Sequence, residues 1–198
     1  MPLAAPPAPL LLTGFMGSGK TTLGRCLAAH LGWYFCDLDE RIEVASGCTI
    51  PDIFVRRGEA GFRAMEREQL DLALGAAARR RTVLALGGGT FAQPAIAGGL
   101  LSCGGCVVFL DVPVEDLLVR CAQVTNRPLF RDEASFRELY ERRRPFYLRA
   151  HVTLALGPGE AMNPPEVLAD RLLEQVYQWA ASQRPSAAPG PIVGPLSA

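Results

Sequence analysis

The sequence predicts an α/β protein, a parallel sheet with helices on both sides. Three observations carry that expectation. Five short apolar runs recur along the chain, at Leu10–Thr13, Trp33–Asp37, Val83–Leu86, Val107–Val112 and Val152–Leu156. Each is nearly continuous rather than alternating, as strands covered on both faces require. Helix-length segments with apolar positions at helical spacing lie between them, and this alternation is the pattern of a parallel sheet. A glycine-rich loop joins the first strand to the first helix. At 198 residues the chain suits one domain with a single core.

The opening PLAAPPAP is rich in Pro and Ala and has no packing period, so residues 1–8 are expected to be flexible. The first strand, Leu10–Thr13, runs into GFMGSGKT, which fits G-x-x-x-x-G-K-[ST] at Gly14, Gly19, Lys20 and Thr21. A helix over Thr21–Leu31 follows. Glycines let backbone N–H groups turn inward around phosphate oxygens, and the helix N-terminus adds partial positive charge. Lys20 is the only lysine in the chain; the other basic residues are arginine. A compact ammonium on a flexible stem can follow a moving phosphoryl group better than a planar guanidinium. The alternative, a glycine turn that binds nothing, leaves this lysine and threonine unexplained.

The second strand ends in Asp37-Leu38-Asp39. Alternation along extended chain places both carboxylates on one side, at the carboxyl end of a strand where α/β ligands bind. Such a pair can hold the waters of Mg²⁺ or orient an attacking hydroxyl. The competing reading is an N-cap for a helix beginning in DERIEVA. Helices are expected at Ile50–Val55 and Gly61–Ala78, the second ending in Arg79–Arg81, where basic residues complement the helix dipole. Gly87-Gly88-Gly89 follows the third strand and permits close backbone approach to a ligand.

Further helices are expected at Val114–Val124, Glu133–Leu148 and Pro165–Ala181. Arg120 and Arg127 bracket CAQVTN, and arginine on a mobile segment is suited to covering phosphates. Arg142-Arg143-Arg144-Pro145-Phe146-Tyr147 puts a proline inside a helical pattern, which calls for a bend there. The closing QRPSAAPGPIVGPLSA reads as a disordered tail over residues 183–198.

Twenty acids balance twenty bases, so there is no basic field to attract nucleic acid or an anionic membrane. No apolar run approaches the length of a membrane helix, and the N-terminus lacks the basic region of a signal peptide, so a cytoplasmic location is expected. Of the six cysteines, Cys103 and Cys106 form a single C-x-x-C without a second pair, and reduced structural thiols are expected. His30 and His151 sit in apolar segments and are expected to pack rather than catalyse.

Taken in order, GFMGSGKT, DLDERIE, GEAGFRAME, ALGGG, NRPLF and RRPFY resemble the shikimate kinase family, over about residues 10 to 180. The resemblance implies a three-layer α/β/α P-loop kinase with a five-stranded parallel sheet, a lid and an acceptor-binding subdomain. The domain would span residues 9–182, with the acceptor subdomain over about 38–70 and the lid over about 122–133. It implies transfer of the ATP γ-phosphoryl group to the 3-hydroxyl of shikimate, a step of aromatic amino-acid biosynthesis, with Mg²⁺ as cofactor. Gly17, Ser18, Gly19, Lys20, Thr21 and Thr22 would hold the nucleotide phosphates. Arg120 would lie against adenine, and Arg127 would come from the lid onto phosphate and substrate. Thr21 would serve Mg²⁺ directly, with Asp37 and Asp39 acting through water. Lys20, Asp39 and Arg127 would be catalytic, Asp39 also contacting the acceptor hydroxyls. Arg63 and Arg143 would grip the shikimate carboxylate, with Glu66 supporting Arg63. Phe54 and Phe62 would form an apolar wall, and Gly87, Gly88 and Gly89 would line the pocket. A monomer is expected. The stretch from Arg127 to Arg143 is shorter than the family pattern.

Two other readings stand beside it. One is a related small-molecule kinase for gluconate or a nucleoside monophosphate; the other is a non-catalytic ligand sensor of the same fold. Arg63, Arg143 and the triple glycine oppose the first, and intact Lys20, Thr21, Asp37 and Asp39 oppose the second.

Overall fold

The structure, a computed structural model, describes residues 5–122 and 132–183. Most of the expected lid, including Arg127, nearly all of the expected tail and residues 1–4 of the expected loose N-terminus therefore lie outside the described residues.

Five strands form one parallel sheet in the order β2-β3-β1-β4-β5. They are β1 (Leu10–Thr13), β2 (Tyr34–Asp37), β3 (Thr82–Ala85), β4 (Cys106–Asp111) and β5 (Val152–Ala155). Each lies within a residue or two of its apolar run. The central strands β1 and β3 are buried throughout, and β4 is buried except at Asp111. The expectation of two covered faces fails at β2 and β5, which alternate or lie partly open. Their position at the sheet edges is the reason.

Among the described residues seven α-helices connect and cover the strands: α1 (Lys20–Leu31), α2 (Leu38–Ser46), α3 (Ile50–Ala77), α4 (Pro94–Leu101), α5 (Val114–Ala122), α6 (Glu133–Tyr147) and α7 (Pro165–Ser182). The β1-to-β2 link steps in one direction along the sheet and the three later links step in the other. Right-handed crossovers therefore put α1 on one face and the later connections on the opposite face. Helix α7 returns after β5 to pack beside α1. The result is a three-layer α/β/α fold around a core centred on Leu10, Leu11, Leu12, Leu84 and Val108.

Helix α4 went unpredicted, while α2 is the helix of the competing N-cap reading of DERIEVA. Helix α4, PAIAGGLL, is short and contains two glycines, so no helical period stands out, yet Ile96, Ala97 and Leu100 are buried. Helix α2 begins immediately after β2, where the apolar run ends. The two helices expected on either side of Gly58 form α3 with a break at that residue (φ 65°, ψ −177°), a backbone conformation open essentially to glycine alone.

Pro145 is inside α6, as the pattern predicts. It lies in the last turn, where it forgoes a single intrahelical bond. His30 departs from expectation: it is exposed, with Nδ1 4.0 Å from Asp170. His151 does pack, its ring stacked 4.7 Å from Trp179 and its Nδ1 accepting from the Val107 N–H at 3.1 Å. All six cysteines are free thiols, and burial pushes Cys106 up to about 12.

Candidate active site

Two cavities open at the carboxyl ends of β1, β2 and β3. The first, about 460 Å³, is bordered by the glycine loop and the start of α1, with Arg120, Met162 and Asn163 at its far side. The second, about 330 Å³, is bordered by α2, α3, the triple glycine and Arg143. Met16, Asp39 and Gly88 line both. A group held in one cavity is therefore adjacent to a group held in the other.

The loop is shaped by its glycines. Gly19 takes a left-handed conformation (φ 91°) as the N-cap of α1, so the following N–H groups point toward the first cavity. Lys20 Nζ donates to Gly14 O and Phe15 O, each at 3.0 Å, and reaches Ser18 Oγ at 3.4 Å. The ammonium is thus folded over the loop. Gly17, Ser18, Gly19, Lys20, Thr21 and Thr22 all border the cavity. Arg120, from the last turn of α5, donates to Gly17 O at 3.0 Å and to Ala161 O. That second bond ties α5 to the 3₁₀ turn Glu160–Met162. Sequence reasoning missed this turn, because Met162 and Asn163 carry no charge or glycine pattern.

Asp37 and Asp39 come together by a route other than the expected one. The strand ends at Asp37, and Asp39 is in the first turn of α2. Asp37 Oδ1 caps that helix, accepting from the N–H groups of Asp39 (2.9 Å) and Glu40 (3.4 Å). Its other oxygen, Oδ2, accepts from Thr21 Oγ1 at 2.6 Å. Capping and site-building are therefore one arrangement, not alternatives. Burial raises the Asp39 carboxyl to about 6, aided by Asp37, while Lys20 pulls the other way. The hydroxyl of Thr21 and the two carboxylates make an all-oxygen donor set, suited to a hard cation. Among the described residues there is no group of three or more His, Cys, Asp or Glu side chains that could hold a metal. Mg²⁺ fits such a site, since it commonly takes one or two carboxylates plus waters and substrate phosphates.

The second cavity has a cationic end and an apolar wall. Arg63 Nη1 donates to Glu66 Oε2 at 2.7 Å, and Nη2 reaches Glu59 Oε1 at 3.3 Å. Glu66 is only 1% exposed and is fully satisfied. Thr90 Oγ1 donates to its Oε1 at 2.7 Å and Gln93 Nε2 to its Oε2 at 2.8 Å. Neither Thr90 nor Gln93 was singled out in the sequence, because the partner of both is 24 or more residues away.

Arg143 and Tyr147, four residues apart on α6, both donate to Gly88 O, the former at 3.3 Å. That i,i+4 spacing is visible in RRPFY and was the available signal for Tyr147. A Cβ on Gly89 would lie 2.9 Å from Arg63 Nη2 and 3.2 Å from Arg143 Nη2. The two guanidiniums therefore converge on one spot that only glycine leaves open. Burial lowers the Arg143 pKa, and Arg63 beside it adds to the effect. Two like charges held together in this way favour an anion between them. Phe54 and Phe62 stack with centroids 4.7 Å apart and form the apolar wall. Met16, Glu43, Ile50 and Pro51 complete the lining and were not anticipated.

The arginine runs divide by task. Arg144 pairs with Asp111 through bonds of 3.2 and 2.7 Å, and Arg142 is exposed. Arg79–Arg81 follow α3, which ends at Ala77; Arg80 and Arg81 lie over the rings of Tyr34 and Trp33.

Known proteins carry the same pattern. The family model described as shikimate kinase matches residues 16–177. The shikimate kinase of Synechococcus elongatus is 42% identical over 170 residues, covering 84% of this chain and 85% of that protein. Among solved structures, the shikimate kinase from Acinetobacter baumannii in complex with shikimate superimposes with a TM-score of 0.77 at 39% identity, covering 85% of this chain and 92% of that one. The shikimate kinase from Aquifex aeolicus gives 0.75 at 34% identity, covering 86% and 97%. A phosphate loop, a shared seam between two cavities and a matching family model lead to one conclusion: the chain belongs to the shikimate kinase family.

Proposed function

We propose that the protein transfers the γ-phosphoryl group of ATP to the 3-hydroxyl of shikimate, giving shikimate 3-phosphate and ADP. The observation that carries this reading is the seam at Met16, Asp39 and Gly88. The phosphate loop lies on one side of it and the paired guanidiniums on the other.

The acceptor carboxylate is gripped by Arg63 and Arg143, which fixes the ring and brings its hydroxyls toward Asp39. Phe54 and Phe62 cover the ring's apolar side. The loop N–H groups, Ser18 and Thr22 hold the nucleotide phosphates, and Arg120 flanks the base. Lys20 leaves its loop carbonyls to follow charge onto the γ-phosphoryl oxygens. Asp39 orients the 3-hydroxyl and receives its proton as that oxygen bonds to phosphorus and the bond to the bridging oxygen of ADP breaks. A carboxyl raised to about 6 is ionised at neutral pH and still basic enough for the task. Thr21 would hold Mg²⁺ directly, with Asp37 and Asp39 holding its waters. Bound there with ATP, the ion would neutralise phosphate charge. Arg127, outside the described residues, is assigned to cover the phosphates by its place in NRPLF. The protein is proposed to work as a cytosolic monomer; no helix among the described residues is long and apolar enough to cross a membrane.

A coupled ADP-release assay with Mg²⁺ tests this across shikimate, gluconate and nucleoside monophosphates. Shikimate should be used in clear preference. Preference for another acceptor would overturn the substrate assignment, and binding of ATP and shikimate without ADP release would leave a sensor. Lys20→Met should lower kcat on the order of 10²–10³-fold without unfolding the chain.

A further inference from the structure

A third cavity, about 470 Å³, opens at the free edge of the sheet, beyond β2. Its lining comes from five elements: Arg25 of α1, Cys36 and neighbours of β2, Arg41 of α2, Gln69 of α3 and Thr82 of β3, with Arg80 from the segment after α3. It shares only Asp37 with the nucleotide cavity and no residue with the acceptor cavity.

The charges here are unevenly matched. Arg25 is paired with Glu40 at 2.6 Å. Arg41 and Arg80 have no ion-pair partner among the described residues. Arg41 donates to Gln69 Oε1 at 3.2 Å, and its buried Nε has no acceptor. Arg80 lies over the Tyr34 ring, 4.0 Å from its centroid, which holds the guanidinium in place without neutralising it. The Cys36 thiol borders the same cavity as both cations. As an edge strand, β2 also presents unpaired backbone groups on this side.

We propose that this edge cavity is a second anion site, which binds a phosphate group between Arg41 and Arg80. Two guanidiniums, one from α2 and one from the segment that follows α3, suit a tetrahedral oxyanion, whose several oxygens can accept from both forks at once. The site is separate from the phosphate loop and does not depend on the shikimate assignment. Its floor is the strand that ends in Asp37, so it stands directly behind the reaction centre.

Cys36 is a local reporter. The full-length protein, with Mg²⁺–AMP-PNP and shikimate added in excess to occupy the other two cavities, is treated with N-ethylmaleimide. Labelling of each cysteine is followed by peptide mass spectrometry. Inorganic phosphate at about ten times its Kd should slow labelling of Cys36 about tenfold by mass action, leaving Cys26 and Cys48 unchanged. Sodium chloride at equal ionic strength should not protect. Arg41→Gln and Arg80→Gln should each remove the protection, and Arg80 is exposed, so its variant is expected to fold normally. Stronger protection by glycerol 3-phosphate than by inorganic phosphate would assign a phosphate ester, and the reverse would assign free phosphate. Unchanged Cys36 labelling, equal protection by chloride, or full protection in a folded Arg80→Gln protein would each overturn the proposal.

Discussion

Asp39→Asn should make the protein more stable while stopping its chemistry. The carboxyl of Asp39 is raised from 3.8 to about 6, chiefly by burial and then by Asp37. That difference corresponds to roughly 3 kcal/mol carried against the folded state by the ionised form at neutral pH. The folded pKa lies above the unfolded one, so the folded chain keeps this proton longer. Between about pH 4 and 6 wild-type stability therefore falls as pH rises, and above that window the cost is complete. Asparagine has nearly the same shape and carries no charge. The variant should match wild type near pH 4 and exceed it by up to about 3 kcal/mol at pH 7.5. For a chain of this size that is on the order of 6–12 °C in Tm. Urea denaturation with EDTA and no nucleotide, at several pH values, measures the difference. Turnover should fall about 10²–10⁴-fold in the same variant. A stability difference that stays constant from pH 4 to 7.5, or a less stable variant at pH 7.5, would refute the account of how Asp39 is held.

The remaining expectations concern the cationic end and the sheet. Arg143→Ala should raise KM for shikimate about 10–100-fold with little change for ATP, since a charge-assisted bond contributes about 1.5–3 kcal/mol. Arg63→Ala should do the same and also lower stability by about 3–5 kcal/mol, because it strands the buried Glu66 carboxylate. Equal stability losses in a denaturant titration of the two variants would contradict that distinction. Thr90→Val removes one donor to Glu66 and should raise KM for shikimate several-fold while leaving kcat nearly unchanged; Thr90→Ser should restore it. The His151 pKa is lowered from 6.5 by burial, so its contribution is present above pH 6.5 and lost as pH falls below it. Relative to His151→Gln, wild type should therefore lose stability on acidification, the opposite sign from Asp39. A pH-independent difference between the two proteins would count against it.

Where the sequence was informative, the signal was local. The glycine loop needs strand, turn and helix in immediate succession, and GFMGSGKT contains all three within a few residues. The apolar runs locate the inner strands β3, β1 and β4 because a central parallel strand has no polar face to interrupt it. Helix α4 escaped because its two glycines weaken any helical period and its burial depends on β4. The resemblance supplied the pairing of Arg63 with Arg143, which local pattern could not, since the two are 80 residues apart in the numbering.

By itself, then, the sequence determined the fold class, the phosphate loop with its single lysine, and the residue types of both halves of the site. Only the tertiary structure decided how they meet. Asp37 serves as helix cap and Thr21 partner together, because the chain turns from strand to helix at that residue. Gly89 leaves open the spot where two distant guanidiniums converge, and Glu66 is held by Thr90 and Gln93 from another segment. Arg41 and Arg80 border one cavity though nothing in their surroundings along the chain relates them. Backbone preferences and hydrophobic periods act over a few residues and can be read along the chain. Desolvation and charge pairing act through space, and their partners are set by how the sheet is ordered and which connections cross it.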